Sequence, residues 1–324
     1  MRTHSFLVVN PRSGDASPSA EELAAEAKRR QIDVHILREG DDPGELARRS
    51  GAETVGIAGG DGSLAAVAAA ALERDAAFVC VPFGTRNHFA RDLGLDRDDP
   101  LGALDAFASG SERRLDVGRV NGRIFLNNVS LGVYAGLVHR REHHRRRGEA
   151  LARARALVAV ARRRHRIRAR VNDDDVLARA IFVSNNCYEL DLFTLGARPR
   201  LDEGRLFLWI AAGVLPTAWE ERTGTSFRLE LAGGRVRAAV DGEPHAFEPP
   251  LEFESVPGAL RVRVPDREAE DPTRRSAMHD NPEPTEQEQE QAHEGRQQEE
   301  EAMRYPEHHD PDEERERAHR DAEG

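Results

Sequence analysis

Residues 54–64 read TVGIAGGDGSL, and residues 77–95 read AFVCVPFGTRNHFARDLGL. In each stretch a short apolar run suited to a buried strand ends in a glycine-rich turn, and a helical pattern follows. The turns are Gly59-Gly60-Asp61-Gly62 and Pro82-Phe83-Gly84-Thr85, twenty-five residues apart. Consecutive β-α-β units with right-handed crossovers bring such turns to one sheet edge, at the carboxyl ends of parallel strands. Glycine lets the backbone come close to a ligand, and exposed N–H groups at helix starts attract anions. Two such turns on one crevice imply a polyphosphate site.

Strand and helix alternate outward from these turns. Ser5–Val9 is an apolar run ending in the turn Asn10-Pro11-Arg12-Ser13-Gly14. Ser19 with Glu22 forms a capping box for a helix reaching about Arg30, followed by a strand at Ile32–Leu37 and a short helix at Gly44–Arg49. Thr54–Ala58, Ser63–Arg74 and Ala77–Val81 complete a β-α-β core. Thr85 is placed to cap a helix that Gly94 ends, and Leu101–Ser109 is read as another helix. The fold class of residues 1–115 is therefore α/β, with a parallel sheet between helices.

The pattern changes near Leu115. Hairpin signals appear at Asn121-Gly122, Gly233-Gly234 and Asp241-Gly242, with short strands at Ala180–Ser184, Leu206–Ala211, Leu251–Glu254 and Leu260–Val264. A second, mostly antiparallel domain over residues 116–265, a β-sandwich, is expected. A helical insertion at roughly Arg145–Arg168 interrupts it. After Pro265 the apolar periodicity is lost. Residues 266–324 carry 21 acidic and 8 basic side chains and are expected to be a disordered acidic tail, whereas residues 1–265 are nearly neutral. His308-His309 and the repeated glutamates there read as a solvated tail rather than a metal site.

Composition removes several function classes. Lys28 is the only lysine against 46 arginines, and it lies on a polar helix, so neither a Walker A lysine nor a protein-kinase strand lysine is available. Cys80 and Cys187 lie in apolar contexts without C-x-x-C spacing and read as free thiols of a reducing compartment. No apolar stretch approaches the roughly 18 residues that span a bilayer, and MRTHSFLVVN runs straight into a strand. A cytoplasmic protein is expected.

Asp61, between glycines, either hydrogen-bonds its own turn or holds Mg²⁺ on bound phosphates, which hard oxygen ligands suit. Gly84, Thr85 and Asn87 form the second turn, where helix capping and phosphate binding draw on the same N–H groups. The turn from Asn10 to Gly14 is a candidate third wall. Asp241-Gly242-Glu243, taken alone, is an ordinary hairpin turn.

The stretches VVNPRSG, GGDGS, PFGTRNHFARDLGL, LDVGRVNGRIFLNNVSLG and VDGEP, in this order over about residues 5–265, resemble the soluble bacterial diacylglycerol kinase-like lipid kinases. These are relatives of sphingosine and ceramide kinases; NAD kinases and phosphofructokinases share GGDG. The resemblance implies a nucleotide-binding α/β domain, a β-sandwich domain and an ATP site in the cleft between them. Position by position, it makes Asn10, Pro11, Arg12, Ser13, Gly14, Gly59, Gly60, Asp61, Gly62, Ser63, Gly84, Thr85 and Asn87 the nucleotide-contacting residues, with Asp61 toward Mg²⁺. Glu243 matches the catalytic glutamate and Asp116 an aspartate that supports it. The implied mechanism is direct transfer of the γ-phosphoryl group to a lipid hydroxyl, with Glu243 taking the proton and Asp116 raising its basicity. Three positions depart from the family pattern. Ser63 replaces a threonine, and His88 stands where an aspartate commonly follows Asn87. Glu203 replaces an aspartate of a structural Mg²⁺ site beside Arg200, so that structural metal is not expected here.

From His139 to Arg170 there are 13 arginines and two glutamates, with Leu151, Ala154, Leu157, Val158 and Ala161 at helical spacing. A basic amphipathic helix suits an anionic membrane surface, and it equally suits a solvated helix with one packed face. Nucleic acid is not expected, since no aromatic side chain interleaves the arginines. The reading that results is an ATP- and Mg²⁺-dependent lipid kinase, peripheral at the inner membrane surface, acting on a diacylglycerol-like or long-chain lipid. Its rivals are a catalytically weak nucleotide- or lipid-binding regulator and a soluble-substrate kinase of the NAD-kinase kind. The oligomeric state is left open, a homodimer included.

Overall fold

A computed structural model of the protein describes residues 4–13, 17–84, 87–132, 166–188, 190–191, 194–195, 197–212 and 219–266. The chain begins with β1 (Ser5–Val9), α1 (Ala20–Arg29), β2 (Asp33–Ile36), α2 (Pro43–Ser50), β3 (Thr54–Gly59), α3 (Asp61–Glu73), β4 (Ala77–Pro82) and α4 (His88–Asp92). A six-residue 3-10 helix at Gly102–Phe107 stands where a longer helix was expected. Strands follow: β5 (Gly110–Val120), β6 (Arg123–Phe125), β7 (Asn128–Gly132), β8 (Ile167–Val171), β9 (Asp174–Ala178) and β10 (Ala180–Asn185). Then come β11 (Leu190–Asp191), β12 (Thr194–Leu195), β13 (Leu206–Ala211), β14 (Trp219–Gly224), β15 (Ser226–Leu231), β16 (Val236–Val240), β17 (Glu243–Phe247) and β18 (Leu251–Pro265).

Local chemistry explains the first helices. Ser19 and Glu22 exchange hydrogen bonds in a capping box on α1. Asp42 caps α2, Pro43 sits at its start, and Gly51 closes it in the left-handed region. Every residue of β3 and β4 is buried, as expected for parallel strands covered on both faces. Their alternating side chains separate two cores. Ile57, Phe78 and Cys80 face Leu64, Val67 and Ala71 of α3, whereas Ala58, Val79 and Val81 face Leu23 of α1 with Leu104 and Phe107. Each fully buried side chain of this size contributes about 1.5–3 kcal/mol.

The sheet is mixed rather than purely parallel. Its order is β2-β1-β3-β4-β18-β15-β8-β9, with β5 also on β18 and β6 on β5. β18 lies parallel to β4 yet antiparallel to β5 and β15. The two short strands expected at Leu251–Glu254 and Leu260–Val264 are one strand with an irregularity between Val256 and Leu260, where Gly258 has φ 58°. The expected domain boundary between residues 115 and 116 falls inside β5.

A second, six-stranded antiparallel sheet runs β14-β13-β10-β7-β16-β17. One core is shared by both sheets: Val129, Leu131, Ile181, Val183, Leu208 and Val240 meet Val120, Val171, Phe227, Leu229, Leu251 and Phe253. Two of the hairpin signals form hairpins, Asn121-Gly122 between β5 and β6 and Asp241-Gly242 between β16 and β17, all four residues at positive φ. Gly233-Gly234 does not. β15 pairs with β8 and β18 in the first sheet and β16 with β7 and β17 in the second, so this glycine pair carries the chain between sheets.

The helix expected at Arg145–Arg168 lies outside the described residues except at its end, which is strand. From Ile167 the exposed arginines Arg168 and Arg170 alternate with more buried Ile167, Ala169 and Val171, a period of two that no helix accommodates. The tail from residue 267 also lies outside the described residues.

Candidate active site

Four segments meet around the start of α3. The backbone N–H of Asn10 donates to Ala58 O at 2.8 Å, tying the turn after β1 to the end of β3. A Cβ built on Gly59 would lie 3.5 Å from the Asn10 Cβ, and one on Gly60 3.9 Å from the Ser13 Oγ. A Cβ on Gly84 would lie 2.8 Å from the Gly60 Cα and 3.1 Å from its nitrogen. A Cβ on Gly62 would fall 2.6 Å from the Glu243 Cδ. Glycine is thus required by close approach at Gly62 and Gly84, and Asn10, Ser13, Gly59, Gly60, Gly62, Gly84 and Glu243 lie close together. Pro11 and Arg12 belong to the same turn, with Arg12 exposed. Gly14 and Thr85 lie outside the described residues.

The two helix starts differ in what they offer. Gly60 is the N-cap of the 13-residue α3 and supplies no side chain to its first turn. Ser63 donates both N–H and Oγ–H to Gly60 O, at 3.0 and 2.9 Å, which keeps the turn tight. At α4 the N-cap is Asn87, at φ 44°, rather than Thr85. Its amides are already engaged: His88 and Phe89 N–H donate to the two Asp61 carboxylate oxygens at 3.2 and 3.1 Å. Asp61 therefore spans the two glycine turns, whereas the start of α3 carries no side-chain cap on its N–H groups. The exposed Glu243 carboxylate resting on Gly62 lies against that positive end.

Asn87 is buried, donates from Nδ2 to Gly84 O at 2.7 Å, and leaves its Oδ1 without a hydrogen-bond partner. A buried orphan acceptor costs about 1–3 kcal/mol. Beside two glycine turns it fits a ligand that donates a proton or a hydrated cation. Among the described residues no group of three His, Cys, Asp or Glu is placed to hold a metal by itself. The oxygens present, from Asp61 and Asn87, fit a Mg²⁺ that arrives on phosphate with most of its own water, the ordinary habit of this ion.

Glu243 is delivered by the β16–β17 hairpin, whose own anchor is Asp241. That carboxylate is buried and accepts three successive backbone N–H groups, from Leu126 at 2.8 Å, Asn127 at 2.8 Å and Asn128 at 2.9 Å. Burial pushes the Asp241 carboxyl up to about 6 from an ordinary 3.8, against the pull of the three donors. The fold therefore holds this proton more tightly than the unfolded chain does. That stabilisation is complete below about pH 4 and is lost as pH rises through about 6, a change of about 3 kcal/mol. Urea unfolding from pH 4 to 7 is expected to show this slope in the wild type and not in Asp241→Asn. Equal slopes would refute the assignment.

Asp116 is buried and held by two backbone amides. Its oxygens accept from Gly204 N–H at 2.6 Å and Gly258 N–H at 2.8 Å, joining β5 to two distant turns. Nearby, Glu203 accepts from Cys187 N–H at 2.8 Å, and Arg200 pairs with Asp202 at 3.1 Å. Cys80 is buried in β4, and burial raises its thiol far above the ordinary range. Asp241, the residue that holds the Glu243 hairpin, was read from sequence only as a turn former. Its burial has no local signature.

Residues 4–120 match the family described as the diacylglycerol kinase catalytic domain. A diacylglycerol kinase of Bacillus subtilis (strain 168) is 43% identical over 72 residues, 22% of this chain and 24% of the relative. A protein of Pseudomonas aeruginosa named "Probable lipid kinase YegS-like" is 33% identical over 125 residues, 37% of this chain and 41% of the relative. The chain spans less than half the length of these curated relatives. A crystal structure of a diacylglycerol kinase from Bacillus anthracis str. Sterne superposes with a TM-score of 0.61 at 18% identity, covering 81% of this chain and 97% of that one. At that identity the likeness concerns the fold.

Proposed function

We propose, from the match of residues 4–120 to the diacylglycerol kinase catalytic domain family, that this protein is a lipid kinase that transfers the γ-phosphoryl group of ATP to a lipid hydroxyl. The observation that carries the proposal is the meeting of Glu243 with Gly62 at the start of α3, beside the Gly60–Gly84 contact. A phosphate acceptor needs a base where the phosphate is held, and the two sheets supply these parts from opposite sides. We read those sheets, packed about their common core, as the β-sandwich joined to the nucleotide-binding layer.

The N–H groups of the first turn of α3 would hold the phosphates, with Gly59, Gly60 and Gly84 permitting their approach and Arg12 adding a positive charge. Asp61 and Asn87 would hold Mg²⁺ through oxygen, and the metal would offset the charge that develops on the transferring group. Glu243 would accept the proton of the lipid hydroxyl at its carboxylate oxygen as that hydroxyl attacks. The chain has no lysine beyond Lys28 on α1, so N–H groups and the metal supply the electrostatics.

The lipid side of the proposal rests on the basic run 139–170, whose arginines suit the anionic inner surface of a membrane at about 1 kcal/mol each. Among the described residues no helix is long and apolar enough to cross a bilayer. The test is incubation with labelled ATP, Mg²⁺ and a panel of diacylglycerols, ceramides and sphingoid bases in phosphatidylglycerol vesicles. A single phosphorylated lipid is the expected product. Tight nucleotide binding with no phosphorylated lipid would establish the regulator instead.

A further inference from the structure

Arg198 lies in the segment between β12 and β13, and its side chain is fully buried, as is that of Asp92 at the end of α4. Its Nε–H donates to Asp92 Oδ2 at 2.8 Å. One terminal nitrogen, Nη1, donates to Leu126 O at 2.6 Å and Asn185 O at 3.1 Å, and Nη2 donates to Asn127 Oδ1 at 2.6 Å. The guanidinium lies 5.3 Å from the centre of the Tyr188 ring. Four acceptors from three separate segments are thus held by one planar fork.

The ends of this fork reach both halves of the site. Asp92 closes α4, whose first amides hold Asp61 of the glycine turn. Leu126 and Asn127 belong to the stretch whose N–H groups hold Asp241, and Asp241 opens the turn that presents Glu243 to Gly62. The contacts close a ring: Gly62 and Asp61, α4, Asp92, Arg198, residues 126–128, Asp241, Glu243, and back to Gly62. A buried ion pair is weak as a source of stability, since apolar side chains of similar volume often serve as well. Its distinct property is geometric, a fixed separation between the groups it bridges.

We propose that Arg198, paired with Asp92, is a positioning residue that sets the gap between the phosphate-holding turn and the Glu243 carboxylate. The proposal rests on the reading of Glu243 as the base. Lysine keeps the charge opposite Asp92 but lacks the planar fork, so it does not reach Asn127 and both carbonyls together. Arg198→Lys is expected to lower kcat tenfold or more, because ångström-scale misplacement of a reacting group costs up to about 10²-fold. KM for ATP should stay within about twofold, since the nucleotide turn is intact.

The deciding measurement repeats Arg198→Lys in the Glu243→Gln background, using dioleoylglycerol in vesicles or whichever lipid the panel identifies. Positioning through Glu243 predicts no further loss there, whereas a general structural role predicts the same loss in both backgrounds. Equal losses, or a wild-type kcat in Arg198→Lys, would overturn the proposal. Should circular dichroism show Arg198→Lys unfolded, Asn127→Ala, which removes only the Nη2 acceptor, goes through the same cycle with the same two outcomes. A Glu243→Gln enzyme as active as wild type would instead refute the reading of Glu243, and the positioning claim with it.

Discussion

Glu243→Gln is expected to lower the rate of lipid phosphorylation about 10³-fold while leaving nucleotide affinity within about twofold. Glutamine keeps the length and shape that pack against Gly62, so the hairpin stays where Asp241 holds it. What disappears is the acceptor for the hydroxyl proton. The side chain is exposed, and an exposed substitution of this kind changes stability by no more than about 0.5 kcal/mol. Initial rates with labelled ATP, a fluorescent-nucleotide titration and a melting curve together separate these effects. A variant retaining a third of the wild-type rate would remove Glu243 from the chemistry.

Gly84→Ala should act on the other side of the reaction, lowering ATP affinity about 10²-fold. The added methyl would lie 2.8 Å from the Gly60 Cα and 3.1 Å from the Gly60 nitrogen. Both are backbone atoms, and neither can swing aside. The turn from Gly59 to Gly62 must retreat, which turns the first N–H groups of α3 away from the phosphate seat. Overpacking of this kind also costs about 1–3 kcal/mol of stability. At Gly62 the obstacle is the flexible end of Glu243, so Gly62→Ala should displace the base and spare the backbone. Nucleotide titration of the two variants gives the contrast, and an unchanged affinity in Gly84→Ala would refute the close approach as the reason for that glycine.

The glycine at position 84 has a local steric reason, because its backbone passes too close to that of Gly60 to admit a side chain. Asn121-Gly122 and Asp241-Gly242 were legible because two consecutive positive φ values are a demand met within the turn itself. Gly233-Gly234 has only its first residue at positive φ and joins strands of different sheets, because pairing is decided by strands far away in sequence. Asp61 illustrates the division within one residue. From the sequence its carboxylate either bonds its own turn or holds a cation, and in the fold its oxygens accept from amides 27 and 28 residues on, at the start of α4. Asp116 stood out in the sequence only through the family resemblance, and its hydrogen-bond partners at Gly204 and Gly258 lie 88 and 142 residues away.

The amino-acid sequence by itself determined the β-α-β order, the capping box on α1 and the hairpin turns at Asn121-Gly122 and Asp241-Gly242, all of them consequences of steric and hydrogen-bonding preferences that act over a few residues. Only the tertiary structure decided that β18 ties the parallel strands to the antiparallel ones, that Asp241 anchors the turn before Glu243, and that Arg198 bridges α4 to residues 126–127. Such choices follow from burial. Once water is excluded, each buried charge and amide must find its partner among whatever segments the fold has brought within reach.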